Sequence, residues 1–161
     1  MSAALPPEIR GASLEVVQAE YLSRDLRQYV PRAWAQAQPT VPFVHNWHHD
    51  AIADHLMAVS AGQIRFLLIS VAPRHSKSWL TCVFWPTWHW QRRPATQWVF
   101  ASYSLDFAVR DAVYSRRLMD TPWYQARWGC SCEKRPHAKW CNSFRWTSDQ
   151  NVKEFYENAR G

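Results

Sequence analysis

The sequence lacks an apolar run that could cross a membrane. Such a run needs about 18 residues, and charged or polar residues interrupt every apolar stretch of this chain before that length. The first residues, MSAALPPEIRG, also lack the apolar core of a secretory signal peptide. We therefore expect a cytosolic protein with no membrane partner.

Disulfide bonds are not expected either. The chain has four cysteines, and a cytosolic compartment keeps thiols reduced. Three of them share a basic segment with one histidine, in the order Cys130, Cys132, His137 and Cys141. This segment lacks the paired C-x₂-C spacing of common structural zinc sites. We therefore favour a loop with incidental thiols over a zinc knuckle.

The composition is that of a globular chain with a basic surplus. Apolar residues make up 47% of the 161 residues, enough for one domain that buries roughly 70% of its unfolded surface. Nineteen Lys and Arg against thirteen Asp and Glu give a net charge of +6, which favours a polyanionic partner over a polycationic one. The eleven tryptophans are expected in the core or on a partner surface rather than stacked on bases.

The stretch from Ile64 to Trp90 organises the chain. Its apolar run over 66–71 predicts a strand buried on both faces. A polar turn over 73–78 ends in Lys77 and Ser78, and apolar residues at helical spacing follow, with Pro86 expected to kink or divide that helix. Strand, turn ending in Lys-Ser and helix form the context of a phosphate-binding loop.

Glycine is scarce where such a loop needs it. The standard pattern G-x-x-x-x-G-K-[ST] places glycines at the positions of Val71 and Ser76. Serine in place of glycine at position 76 is the more serious departure from the pattern, because its Cβ disfavours a positive φ and close backbone approach to phosphate. The spacing alone leaves two interpretations open, a nucleotide loop and an ordinary strand–turn–helix.

Helical and extended patterns alternate along the rest of the chain and predict an α/β fold. We expect a helix from Ser13 to about Tyr29 closed by Pro31, an irregular connector to 44, helices over 47–60, 104–119 and 122–128, and strands over 97–103 and 143–147. Strands joined by helices predict a partial parallel sheet flanked by helices, with ligands at the strand ends. The N-terminal helix and connector would occupy 1–42, and the domain 43–161.

Histidines crowd the predicted helix over 47–60. His45 and His49 with Asp50 could be drawn as metal ligands, since imidazole and carboxylate both bind zinc. Convergence of these side chains is required for that and does not follow from their spacing. Solvated or hydrogen-bonded histidines are therefore the favoured interpretation.

Five stretches follow one another in an order that carries more information than the loop alone. They are WHHDAI over 47–52, LLISVAPRHSKS over 67–78, FWPTW over 84–88, ASYS over 101–104, and DQN over 149–151 with Phe155 and Asn158. Together they resemble the N-terminal ATPase region of the large terminase subunit of tailed phages and prophages, a P-loop NTPase. The resemblance covers roughly residues 43–161.

The resemblance implies a site for ATP and magnesium. Lys77 would contact the β- and γ-phosphates, and Ser78 would ligate the magnesium ion. The rest of the loop would shape the site, and it consists of Pro73, Arg74, His75 and Ser76. Arg74 would also be a second cation near the phosphates.

The resemblance also implies the partners of the protein and its place in the cell. His48 would contact adenine, and Trp47 beside it would offer a stacking surface. Double-stranded DNA, the small terminase subunit and the portal of the procapsid would be the macromolecular partners, in the cytoplasm of a bacterial host. The full-length motor could be a homo-oligomer.

Two further absences limit the expected activity. No apolar run leads into the Asp-Glu pair of a Walker B element, and no carboxylate cluster for a two-metal nuclease is visible. We therefore expect the front portion of a terminase that binds ATP but hydrolyses little alone, with hydrolysis coupled to DNA translocation only in the full-length protein. The alternatives are a non-catalytic prophage remnant or DNA- or protein-binding module, and another P-loop enzyme such as a helicase or small kinase.

Overall fold

The computed structural model describes residues 13–129, 146–151 and 156–158, which are mainly helical. Six α-helices follow one another: α1 (Leu14–Arg24), α2 (Leu26–Ala37), α3 (Trp47–Ser60), α4 (Trp85–His89), α5 (Leu105–Met119) and α6 (Pro122–Trp128). A π-helical segment, Trp79–Phe84, leads directly into α4. Two strands, β1 (Trp146–Asn151) and β2 (Tyr156–Asn158), pair antiparallel with Trp146 opposite Asn158.

The expected parallel α/β sheet is wrong. Neither 66–71 nor 97–103 forms a strand, and within the described residues the one sheet is the antiparallel pair β1–β2. Leu67 and Ile69 pack against the helical core, whereas Phe66 and Leu68 are 86% and 94% exposed. A parallel strand is covered on both faces, and here the described helices cover only one. The strand predicted over 143–147 begins outside the described residues, and β1 starts at Trp146.

The predicted N-terminal helix is divided in two, and Pro31 does not close it. The break is at Asp25, whose extended backbone and side chain cap α2 by accepting a hydrogen bond from the Arg27 N–H at 2.9 Å. Pro31 lies inside α2. The fully buried residues Tyr29 and Val30 come just before it, so core packing outweighs the local cost of an internal proline.

The helix after the loop is divided as its proline predicts. At the end of the π-helical segment the Trp85 N–H donates to the Leu80 carbonyl, five residues earlier. Pro86 lies in the first turn of α4. Since Pro86 has no N–H, it cannot donate to the Cys82 carbonyl four residues earlier. The Ser115 hydroxyl on α5 donates to that carbonyl instead, at 3.0 Å.

Three buried polar side chains hold the middle of the core together. The Tyr29 hydroxyl lies 3.0 Å from the Thr87 Oγ1, and the Tyr124 hydroxyl donates to the Thr87 carbonyl at 2.8 Å. Burial raises the pKa of both tyrosines, so both hydroxyls stay protonated. Tryptophans 88, 90 and 128 are also buried, which confirms the core position expected for part of the tryptophan content.

The remaining helices confirm the sequence-based expectation. Asn46 caps α3, and α5 begins directly after Ser104 and ends at Met119. Helix α6 begins at Pro122 and is capped by Thr121, whose hydroxyl accepts a hydrogen bond from the Tyr124 N–H. No helix in the described part of the chain is long and apolar enough to cross a membrane.

Candidate functional site

A cavity of about 260 Å³ lies where the start of α3 meets the loop that was predicted to bind phosphate. The connector before α3 supplies its apolar wall, α3 supplies imidazoles, and the loop supplies a guanidinium and a hydroxyl. The lining residues are Trp34, Pro42, Phe43, Val44, Asn46, His48, His49, Arg74, His75 and Ser76.

The start of α3 is held by a reciprocal capping interaction. The Asn46 side-chain oxygen accepts from the Trp47 N–H at 2.8 Å, and the Asn46 N–H donates to the His49 Nδ1 at 3.1 Å. Because Nδ1 of His49 accepts, the neutral ring carries its proton on Nε2. Burial, together with the neighbouring His48 and His45, lowers the pKa of His49.

The loop is closed by His75 and by two left-handed residues. The His75 Nδ1 lies 2.9 Å from the Pro73 carbonyl oxygen and 3.2 Å from that of Ala72, so Nδ1 carries the proton and donates. Arg74 and Ser76 have φ values of +67° and +58°. The backbone at Ser76 therefore adopts the conformation that the glycine of the standard phosphate-loop pattern allows, and it does so with a Cβ present.

The imidazoles of α3 and of the loop meet at the cavity. The ring centroids of His48 lie 4.1 Å from His49 and 5.5 Å from His75. The His48 Nε2 is buried and has no hydrogen-bond partner among the described residues. A buried nitrogen without a partner costs free energy, and the side chain that carries it belongs to a residue that lines the cavity.

The structure brings some of the predicted site residues together and leaves others at the margin. His48, Arg74, His75 and Ser76 line the cavity. Trp47 is 76% exposed and touches His48 edge to face without lining the cavity. Pro73, Lys77 and Ser78 are also exposed and do not line it. Lys77 and Ser78 begin the helical stretch directly after Ser76, whose carbonyl accepts from the Leu80 N–H at 3.0 Å.

The aromatic wall of the cavity is absent from the sequence-based prediction. Trp34 on α2 lies against Phe43 with ring centroids 5.6 Å apart, and Phe43 lies 5.1 Å from His49. The Trp34 Nε1 donates to the Val41 carbonyl at 2.7 Å and so fixes the connector. The available signal was a run of apolar residues, Val41, Phe43 and Val44, inside a segment interpreted as irregular.

The described residues offer no assembled metal site. No group of three His, Cys, Asp or Glu side chains within 13–129 is placed to hold an ion. His45 instead pairs with Asp50 at 2.9 Å, and the His49 Nδ1 is occupied by the cap. The cysteine segment considered for zinc, Cys130 to Cys141, lies outside the described residues. Magnesium ligation by Ser78 remains a prediction, and the exposed hydroxyl is a ligand that suits a hard cation held mainly by phosphate oxygens.

The arrangement suits an anion that carries an apolar or aromatic group. Arg74 is the cation that lines the cavity, Lys77 follows the lining residue Ser76 in the chain, and the cavity wall of Trp34 and Phe43 is aromatic. No carboxylate lines the described cavity to repel a phosphate. No protein-family model, curated protein or solved structure matches this chain, so the interpretation of the cavity depends on its own residues.

Proposed function

We propose that the chain binds ATP with magnesium through the loop 73–78 and the start of α3, as the nucleotide-binding part of a DNA-packaging motor of the terminase type. The observation that carries the proposal is the shared cavity. His48, the proposed base contact, meets Arg74, His75 and Ser76 of the proposed phosphate loop there, although Arg74 lies 26 positions after His48 in the sequence. Two residue sets selected for two parts of one ligand are thus neighbours in space.

The phosphate end of the ligand would lie on the loop and on the helix start after it. The N–H groups of a helix start attract anions, and Arg74 and Lys77 add two positive charges beside them. Ser78 would then contact a magnesium ion bridging the phosphates. The base would lie toward His48, which lines the same cavity as the loop.

The proposal is one of binding rather than of turnover by this chain alone. Hydrolysis needs a carboxylate to hold the magnesium shell and a group to orient water, and no acidic side chain lines the described cavity. In the proposed motor, hydrolysis and DNA translocation belong to the full-length protein together with its DNA, small-subunit and portal partners.

Equilibrium titration with a fluorescent ATP analogue and magnesium tests the proposal. We expect saturable binding that weakens about tenfold or more in Lys77→Ala, because a charge-assisted contact to phosphate is lost. His48→Ala should weaken binding of the ATP analogue but leave binding of inorganic triphosphate unchanged, since His48 is assigned to the base. Arg117→Gln, on the exposed side of α5, is the matched charge control and should change neither affinity.

Two results would contradict the proposal. Unchanged binding of the analogue in Lys77→Ala would show that the loop is not the phosphate site. Salt-dependent binding of duplex DNA without any response to nucleotide would instead favour the alternative of a non-catalytic binding module.

A further inference from the structure

A second cavity, of about 360 Å³, lies at the opposite end of α3. Met57, Ser60 and Ala61 from the end of α3 line it, whereas the first cavity is lined by residues at the start of α3. The helix has 14 residues, so its ends lie about 20 Å apart. The two cavities share no lining residue, and a ligand in one leaves the other accessible.

Three arginines from two parts of the chain converge on this second cavity. Arg24 comes from the last turn of α1, and Arg92 and Arg93 follow α4. A single carboxylate, Glu20, accepts from the Arg24 Nε at 2.7 Å and from the Arg92 Nη2 at 2.9 Å through the same oxygen. The cluster of three guanidinium groups and one carboxylate therefore carries two net positive charges.

The arginines are anchored rather than freely extended. The Arg92 Nη2 also lies 3.3 Å from the Ser23 hydroxyl oxygen, and Arg93 donates through Nη1 to the Ser60 carbonyl. These contacts use only some of the five N–H donors of each guanidinium. Anchored guanidinium groups lose less conformational freedom on binding an anion than solvated ones.

The polar side chains beside the arginines are neutral, and their hydrogen bonds are already made within the protein. The Ser60 hydroxyl oxygen accepts from the Trp85 Nε1 at 2.8 Å and lies 2.9 Å from the His89 Nδ1, to which its own hydrogen can go. The His89 Nε2 is then the protonated nitrogen and donates to the Thr96 hydroxyl at 3.1 Å. The arginines are thus the groups left with donors for a ligand.

We propose that this three-arginine pocket binds the phosphate group of a small phosphorylated molecule. Guanidinium groups match phosphate oxygens in paired geometry, and Glu20 holds two of them in the way such an anion would. The cavity volume falls in the range of small-molecule sites, and Met57 and Trp88 supply an apolar floor. The pocket does not depend on the loop site and would act in addition to it.

Calorimetric titration of inorganic pyrophosphate tests the pocket, in a Lys77→Ala background that weakens the loop site. We expect one binding event that weakens about tenfold in Arg92→Gln and is unchanged in the charge-matched Arg117→Gln. Glu20→Gln should strengthen binding severalfold, because it removes the competing carboxylate, whereas Asp106→Asn on α5 should not. If Arg92→Gln lowers the thermal unfolding temperature, Arg24→Gln, whose side chain is 59% exposed, replaces it.

Three results would overturn the proposal. The first is no pyrophosphate binding in the Lys77→Ala protein, and the second is an equal loss of affinity in Arg92→Gln and Arg117→Gln. The third is binding of a 12-base-pair duplex through the arginines without any binding of pyrophosphate, which would assign the cluster to a nucleic-acid surface. Loss of the loop site alone would leave the pyrophosphate event in place, so the two proposals fail separately.

Discussion

The imidazole rings of His48 on α3 and His75 in the loop lie with their centroids 5.5 Å apart. This contact joins two segments that are far apart in the sequence, and both residues line the candidate nucleotide cavity. His49 lies only 4.1 Å from His48, and the neighbouring imidazoles oppose proton uptake by His49.

The first prediction concerns stability in acid. Burial and the neighbouring His48, His45 and His75 lower the pKa of His49, and only Asp50 opposes them. The unfolded chain, with a histidine pKa of about 6.5, therefore takes up a proton before the folded protein does. The contribution of neutral His49 to the free energy of unfolding should be complete above the unfolded-state pKa. It should decrease as the pH falls from that value toward the lowered pKa of the folded protein.

Urea denaturation at several pH values between about 7.5 and 5 checks this prediction. His49→Gln keeps a side chain that can serve the cap and should flatten the pH dependence. His89, whose pKa is also lowered by burial and by Arg93, would supply the part that remains. His55→Gln, at an exposed position of α3, should leave the slope unchanged, and an equal flattening there would contradict the assignment to His49.

The second prediction compares two serines of the loop. Ser76 has a φ of +58°, which costs a residue with a Cβ roughly 1–2 kcal/mol, whereas Ser78 has ordinary helical angles. Ser76→Gly should therefore raise the free energy of unfolding by roughly 0.5 kcal/mol, after the greater chain entropy of glycine is subtracted. Ser78→Gly should lower it by roughly 0.5–1 kcal/mol.

Thermal or chemical denaturation of the two variants measures this opposite pair of effects. A loss of stability in both would mean that the loop does not hold Ser76 in the left-handed region in solution. The nucleotide titration adds a functional measure, because Ser76→Gly also removes a Cβ from the cavity wall and should not weaken binding.

Local signals in the sequence predicted the local features of the fold. The helix starts predicted at 47 and 104 and the division expected at Pro86 each depend on residues within one turn of the chain, and all three agree with the structure. The turn at 73–78 was also predicted from local sequence. Its positive φ at Ser76 was the conformation required by the glycine pattern, although the residue itself argued against it.

The errors came from interactions that a local pattern does not contain. A strand needs a partner for its N–H and C=O groups, and the run at 66–71 has none among the described residues. Pro31 was expected to end a helix, but the burial of Tyr29 and Val30 keeps α2 continuous through it. The Trp34–Phe43 wall depends on contacts between α2 and the connector, and the hydrophobic periodicity of the sequence does not predict such contacts.

The third prediction concerns the exposed apolar side chains at 66–71 and 97–103. Leu68 and Val99 are both 94% exposed, whereas Ile69 packs against the core. Exposed apolar patches promote association, so Leu68→Thr with Val99→Thr should reduce light scattering at high protein concentration. The free energy of unfolding should change by less than about 0.5 kcal/mol.

Ile69→Thr is the matched comparison for that variant. It places the same hydroxyl against the core and should lower the free energy of unfolding by roughly 1–3 kcal/mol, as measured by urea denaturation. A similar loss in Leu68→Thr would show that this face is covered in solution and that the exposure of Leu68 does not represent the folded protein.

The last prediction concerns the carbonyl that Pro86 cannot satisfy. Ser115, 1% exposed, donates to the Cys82 carbonyl at 3.0 Å and to the Asp111 carbonyl at 3.1 Å. Ser115→Ala should cost about 1–2 kcal/mol of the free energy of unfolding, because it leaves the partly buried Cys82 carbonyl without this donor. Ser104→Ala, which removes a hydroxyl that makes no capping hydrogen bond, should cost less than about 0.5 kcal/mol.

A double-mutant cycle with Pro86→Ala separates this mechanism from simple loss of packing. Alanine at position 86 restores an N–H that can donate to the Cys82 carbonyl in an α-helical turn. The penalty of Ser115→Ala should therefore be smaller in the Pro86→Ala background than in the original chain. Equal penalties in the two backgrounds would mean that the Ser115 hydroxyl stabilises α5 through Asp111 alone and that the π-helical segment needs no support from it.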